Sequence, residues 1–304
     1  MPNEIPEIKV DALVPPEMAA KAEDVGVKKA QLDALDMFAL AVLAGAFIAM
    51  GAVFATTVTS GGIAVKAADG ATAFTTALPW GITRLLGGVA FSLGLILVVI
   101  GGAELFTGNN LIVMAWTSRK VSTGALLRSW AIVYAGNFLG ALATAALMFV
   151  SKQYLFASGA VGANALNTAN VKVGYDFGQA FALGILCNAL VCMAVWLCYS
   201  ARSTGDKILA IVFPVTAFVA AGFEHSIANM YFIPMGLFIK DFASGDFWRL
   251  IGSAPDKFAN LTWHNFFVAN LLPVTLGNLV GGAVMVGAIY WFVYLRKKAK
   301  GIAR

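Results

Sequence analysis

Six stretches of this chain are too long and too apolar to be the core elements of a water-soluble domain: residues 37–58, 80–116, 126–150, 177–199, 208–238 and 266–295. A helix needs about 20 apolar residues to cross roughly 30 Å of hydrocarbon, and each stretch meets that length. Hydrocarbon offers no partner to a free peptide group, so segments of this kind must satisfy their own backbone bonds as helices. Composition agrees: the chain is 60% hydrophobic and only 12% charged, with a mean hydropathy of +0.80. A soluble core of this size needs a larger polar exterior. The expected fold is therefore all-α and membrane-integral, with six transmembrane helices over residues 36–296. An N-terminal segment (1–35) precedes them and a basic tail (297–304) follows. The N-terminal segment carries Pro15-Pro16 and spaced apolar residues Met18, Ala22, Val25 and Val27, which reads as a short surface helix. Its polar, charged start is not that of a cleavable signal.

The formal charge of +5 suggests a polyanionic partner until the charges are placed. With the N-terminus inside, fourteen Lys and Arg fall in the tails and connections of the inner side and seven on the outer side. That bias is the positive-inside rule, and it puts both termini in the cytoplasm of a multi-pass protein in the plasma (inner) membrane. No nucleic-acid partner is expected. Cys187, Cys192 and Cys198 share one apolar stretch, spread around its helix, and read as small buried residues rather than a disulfide or metal set. No cofactor or metal is expected.

The chain also repeats itself. Gly102-x-Glu104 interrupts the second stretch and Gly222-x-Glu224 the fifth, while Gly136-Asn137-x-x-Gly140 in the third recurs as Gly277-Asn278-x-x-Gly281 in the sixth. Three spans per half is an odd number, so two related halves must insert with opposite orientations, placing a pathway between them near the midplane. The second and fifth stretches are over-long and carry matching polar interruptions, which predicts that helices 2 and 5 are broken. Irregular backbone at membrane depth is tolerable only where protein buries it or it lines a cavity. The N-terminal ends of half-helices offer N–H groups and positive dipole ends to an anion. The glycines could alternatively serve close helix packing.

Two histidines exist. His264 stands beside Trp263 at an expected interface, and His225 stands in mid-membrane next to Glu224. An intramembrane His marks a functional site and changes charge near neutral pH. Glu104 and Glu224 read as braces of the helix breaks through backbone N–H groups, with Asn137, Asn278 and Asn188 as further braces or solute donors. Lys172 alone reads as an ordinary solvated lysine. Enzymatic readings lack their residues: there is no H-E-x-x-H, no G-x-S-x-G and no glycine-rich phosphate loop. The chain is not expected to be an enzyme. Aquaporin N-P-A pairs are absent, and the lone pore-candidate His lacks the twin expected of ammonium channels.

"VIGGAELFTGNN" (residues 99–110), "GFEHSIANMYFIPMG" (222–236), "ILCNALVCMAVW" (185–196) and "PVTLGNLVGGA" (273–283) closely resemble signatures of the formate/nitrite transporter family. The resemblance runs from about residue 14 to 296. "FEHSIANMYFIPMGLFIKDFAS" and "GSAP" look most like its formate-channel branch. The resemblance implies a homopentamer in the lipid bilayer, each aquaporin-like protomer with its own pore for small anions. Formate leads, with nitrite, acetate, lactate or hydrosulfide as alternatives. It implies an outer constriction at Phe91 and Leu95, a cytoplasmic one at Phe106 with Phe218 also facing the pore, and Thr107 and Asn188 hydrogen-bonding near a central His225. It also makes Lys172 the lysine that draws anions into the outer vestibule. A pH-dependent passage of the anion with a proton through His225 follows, and a proton-coupled secondary transporter is the competing class.

Overall fold

The computed structural model describes residues 11–66 and 72–299; Lys9, Lys300 and Arg304, counted among the inner charges above, lie outside them. Helix α1 (Pro15–Ala30) starts on a proline, which suits the first helical turn because its missing N–H would be unpaired there anyway. Met18, Ala19 and Ala22 bury its inner face, as the spacing of its apolar residues predicts. Asp33 accepts the N–H of Leu35 and caps α2 (Ala34–Val58), the first span. After it comes a short antiparallel pair of strands, β1 (Ile63–Lys66) and β2 (Thr72–Thr76), the one addition to a helical plan among the described residues.

The second stretch begins as α3 (Trp80–Gly101), which stops at Gly102, a left-handed residue with φ +77°. Extended backbone follows until α4 (Phe106–Asn109), continued by a 3-10 turn and α5 (Val113–Thr117). Helix α6 (Thr123–Val150), capped by Ser122, completes the first half. The second half opens on α7 (Ala160–Val173). It continues with α8 (Phe177–Ser200), capped by Asp176, and α9 (Thr204–Ala220), capped by Ser203. Gly222, again at φ +77°, interrupts it, and α10 (Ser226–Phe242) resumes from His225. The last span is a helical run from Trp263 to Tyr294, with wider π-helical turns at Phe266–Leu271 and Val280–Ala288.

The halves pack alike. Helix α2 lies against α3 and α6, and α8 lies correspondingly against α9 and the last span, while α3 and α9 join the halves. The two G-N-x-x-G motifs explain the closest crossings. A Cβ on Gly136 or Gly140 would run into α2 at Ala41 and the Val42 carbonyl, and one on Gly277 or Gly281 into the Phe181 and Ile185 carbonyls of α8. Small residues four apart are what membrane helices use to bring backbones together, since lipid supplies no hydrophobic drive between them. The polarity of the molecule is reversed from that of a soluble protein. Leu147, Val150 and Phe213 face outward, while Asn137, Asn188, Asn229, Asn270 and Asn278 are wholly buried.

Candidate functional site

Each helix break is held by the same set of bonds. At the first, Asn137 Oδ1 accepts the Phe106 N–H at 2.9 Å, and its Nδ2 donates to the carbonyls of Ala41 (2.7 Å) and Glu104 (2.9 Å). At the second, Asn278 Oδ1 accepts the Ser226 N–H at 2.9 Å, and its Nδ2 donates to Gly184 (2.8 Å) and Glu224 (3.0 Å). The Glu104 N–H bonds Leu40 O and the Glu224 N–H bonds Leu183 O, both at 3.3 Å. Asn137 and Asn278 thus tie each break to the first helix of its half.

The carboxylates do something else. Glu104 accepts from Lys29 Nζ at 2.7 Å and from Asn109 Nδ2 at 2.7 Å. Glu224 accepts from Lys172 Nζ at 2.6 Å, from Asn229 Nδ2 at 2.7 Å and from Asn270 Nδ2 at 3.2 Å. Neither side chain takes a backbone N–H in these bonds, and both line cavities, so the expected backbone bracing gives way to a buried cation–carboxylate–amide cluster. Burying a carboxylate is tolerable when a cation and further donors meet it. Lys172 is correspondingly not a solvated lysine: its side chain is 13% exposed, and its ammonium also lies 5.4 Å from the Phe232 ring.

Two cavities of about 310 and 350 Å³ flank the breaks. The first is lined by Lys172, Glu224, His225, Arg84, Phe91 and Phe218, the second by Lys29, Glu104, Leu95, Lys21, Lys207 and Cys198, among others. Burial, reinforced by Lys207 and Arg202, lowers the Lys21 ammonium from its usual pKa. Leu95 lines the Lys29 cavity, and Phe91, one helical turn before it, lines the Lys172 cavity. Phe218 lines the Lys172 cavity with Phe91, ring centroids 5.9 Å apart. Phe106 lines neither cavity; its ring stands edge-on to Tyr134 at 4.9 Å.

His225 lies between these features, 3% exposed and parallel to the Phe218 ring at 6.0 Å. Its Nδ1 accepts the Ala228 N–H at 3.0 Å, capping α10. A nitrogen that accepts carries no proton, so the neutral ring holds its hydrogen on Nε2. Nε2 stands 3.0 Å from Thr107 Oγ1, on the other half of the chain. With its lone pair taken by Nε2–H, the Thr107 hydroxyl keeps its own proton to donate. Asn188 does not reach His225: it bonds the Asn278 carbonyl and Asn110 Oδ1, each at 2.7 Å, and the Thr107 carbonyl at 3.4 Å. The half-helix amides are less free than expected, because Asn137, Asn278 and His225 take those of Phe106, Ser226 and Ala228. The three cysteines are buried and free, and His264 is exposed.

Asn109 and Asn229 stand among the polar interruptions of the second and fifth stretches without an assigned partner, and Lys29 and Asn270 are not singled out there, although spacing signals three of the four. Lys29-x-x-x-Asp33 matches Lys172-x-x-x-Asp176, and Glu104-x4-Asn109 matches Glu224-x4-Asn229. Extending the repeat to the helix before each first span would have paired α1 with α7 and Lys29 with Lys172.

Comparison with known proteins places this geometry. The chain is 49% identical over 287 residues to the formate channel FocA of Escherichia coli, covering 94% of this chain and 96% of that protein. It is 42% identical over 287 residues to the formate channel FocA of Haemophilus influenzae, with the same coverage. Among solved structures it resembles a pentameric formate channel with formate bound: TM-score 0.78, 47% identity, 86% of this chain and 98% of that one. An FNT family ion channel matches at TM-score 0.73 and 26% identity, over 91% of this chain and 98% of that one. The formate/nitrite transporter family model covers residues 16–292, so a chain with two equally braced helix breaks and a lone buried histidine between them belongs to the formate/nitrite transporter family.

Proposed function

We propose that this protein conducts formate and related small monovalent anions across a membrane, one pathway per protomer of a homopentamer. The observation that carries this reading is the pair of cation-lined cavities, one of them lined by His225, whose ring meets Thr107 of the other half, in a chain 49% identical to a formate channel over most of its length. The Lys172 cavity faces outward and the Lys29 cavity faces the cytoplasm, with both termini inside, in keeping with the charge bias of the connections.

A small anion loses its hydration where Phe91, Phe218 and Leu95 narrow the route, and apolar walls return nothing for it. The Thr107 hydroxyl, ordered by Nε2–H of His225, offers the anion a donor there. Passage together with a proton leaves a neutral weak acid to cross the apolar stretch. For His225 to become cationic it must take a proton on Nδ1, which gives up the Ala228 cap; its protonation is thereby coupled to the first turn of α10. The test is stopped-flow formate flux into proteoliposomes at pH 5 and pH 7.5. His225→Ala is expected to lose the pH dependence and most of the flux. Unchanged flux and pH profile in that variant would remove His225 from the mechanism.

A further inference from the structure

The Lys172 cavity holds three charged side chains, Arg84, Lys172 and Glu224, besides His225. Lys172 and Glu224 meet at 2.6 Å and cancel. Arg84 has no carboxylate partner among the described residues. Its guanidinium donates to two carbonyls at the end of α9, Nη2 to Val219 O at 2.5 Å and Nε to Ala220 O at 3.2 Å, and it lies 5.8 Å from the Trp80 ring. Two of its five N–H groups are thus engaged by the helix end, and the rest bond nothing among the described residues.

We infer that Arg84, rather than the ion-paired Lys172, supplies the net positive charge that concentrates anions in this cavity. The inference rests on the anion-conducting reading above. A lysine whose charge is matched by a buried carboxylate contributes a local dipole, and the field of a dipole falls off faster than that of a charge. Arg84 is a unit charge with no carboxylate matched to it among the described residues. Its position has a second effect. Helix C-terminal carbonyls carry about half a negative charge and would repel an anion where α9 stops at Gly222. The guanidinium covers those carbonyls and reverses the sign of the field there. Gly222 leaves room for this, since a Cβ on it would come within 3.2 Å of Nη2.

The experiment measures formate flux into proteoliposomes between 0.01 and 0.3 M ionic strength. These conditions span screening lengths from about 30 Å to well under 10 Å. Wild-type flux is expected to fall as salt rises. Arg84→Gln should run about 3–10-fold slower at low salt and show a nearly flat salt dependence, as expected for loss of one steering charge. Arg84→Lys should keep the salt dependence. Asn167→Asp, an exposed near-isosteric change in the same cavity, should reproduce the Gln result by neutralising Arg84 without disturbing α9. Wild-type salt dependence in both Arg84→Gln and Asn167→Asp would overturn the inference, as would a loss in Arg84→Lys equal to that in Arg84→Gln, which would mark a structural cap. Wild-type protein that passed no formate would instead overturn the anion-channel reading.

Discussion

Asn137 and Asn278 use both ends of one amide to tie the two sides of a break to the first helix of its half, α2 for Asn137 and α8 for Asn278. Alanine at either position strands a buried N–H and two carbonyls. At about 1 kcal/mol per net bond, each variant should lose on the order of 3 kcal/mol, and the two losses should be similar because the bonds are the same. Thermal unfolding in detergent reads this out; a variant as stable as wild type would mean the breaks are held by other contacts. At this scale much of the site was legible. An Asn or Glu in hydrocarbon is costly enough to announce itself, and its recurrence at a fixed spacing announces its partner. What Glu224 contacts was not legible, because Lys172 and Asn270 reach it from 52 and 46 residues away, and no local spacing encodes that.

At the scale of elements, glycine serves two separate purposes. Gly140 touches the backbone of α2, whereas Gly102 has open space around its missing side chain but sits at φ +77°. Gly140→Ala is therefore expected to push α6 off α2 and cost about 1–3 kcal/mol by overpacking. Gly102→Ala should cost about 1 kcal/mol through backbone strain alone. Larger losses for Gly102 than for Gly140 in a denaturation series would contradict this division. A second prediction concerns how α1 is tied down. The Lys120 ammonium meets Glu23, and that hydrogen bond raises its pKa above 10.5. A raised lysine stabilises the tie below its unfolded pKa and loses that contribution as pH rises through the folded value. Proteolytic protection of α1 should therefore not change between pH 6 and 9 on account of Lys120, and should fall only above about 10.5. The spans themselves were readable from hydropathy to within a few residues. Helix α7 was not, because its Ala- and Asn-rich sequence lacks an apolar run and reads as a link.

Across the whole molecule, the two halves repeat helices, breaks and charge clusters, yet they differ at the centre. His225 occupies the position of Leu105 in the other half, with closely matching backbone angles at the two residues. The duplication was visible in the sequence, but the division of the pathway was not. Phe91 and Leu95 stand on one helix face, and four residues advance a helix by about 6 Å. With that step Phe91 lines one cavity and Leu95 the other, and a face alone cannot say so.

The Ala228 cap on Nδ1 has an electrical consequence. A histidine that passes protons along a wire must receive on one nitrogen and release from the other, and here one nitrogen looks into the peptide backbone. The ring is a cul-de-sac for hydrogen ions: Nε2 already holds its hydrogen, and the nitrogen that could take another is closed by the Ala228 amide. Liposomes holding this protein under a pH gradient, without a permeant weak acid, should hold that gradient as long as empty ones, read by an internal pH dye. A membrane containing many such pores would keep its proton-motive force while small acids cross.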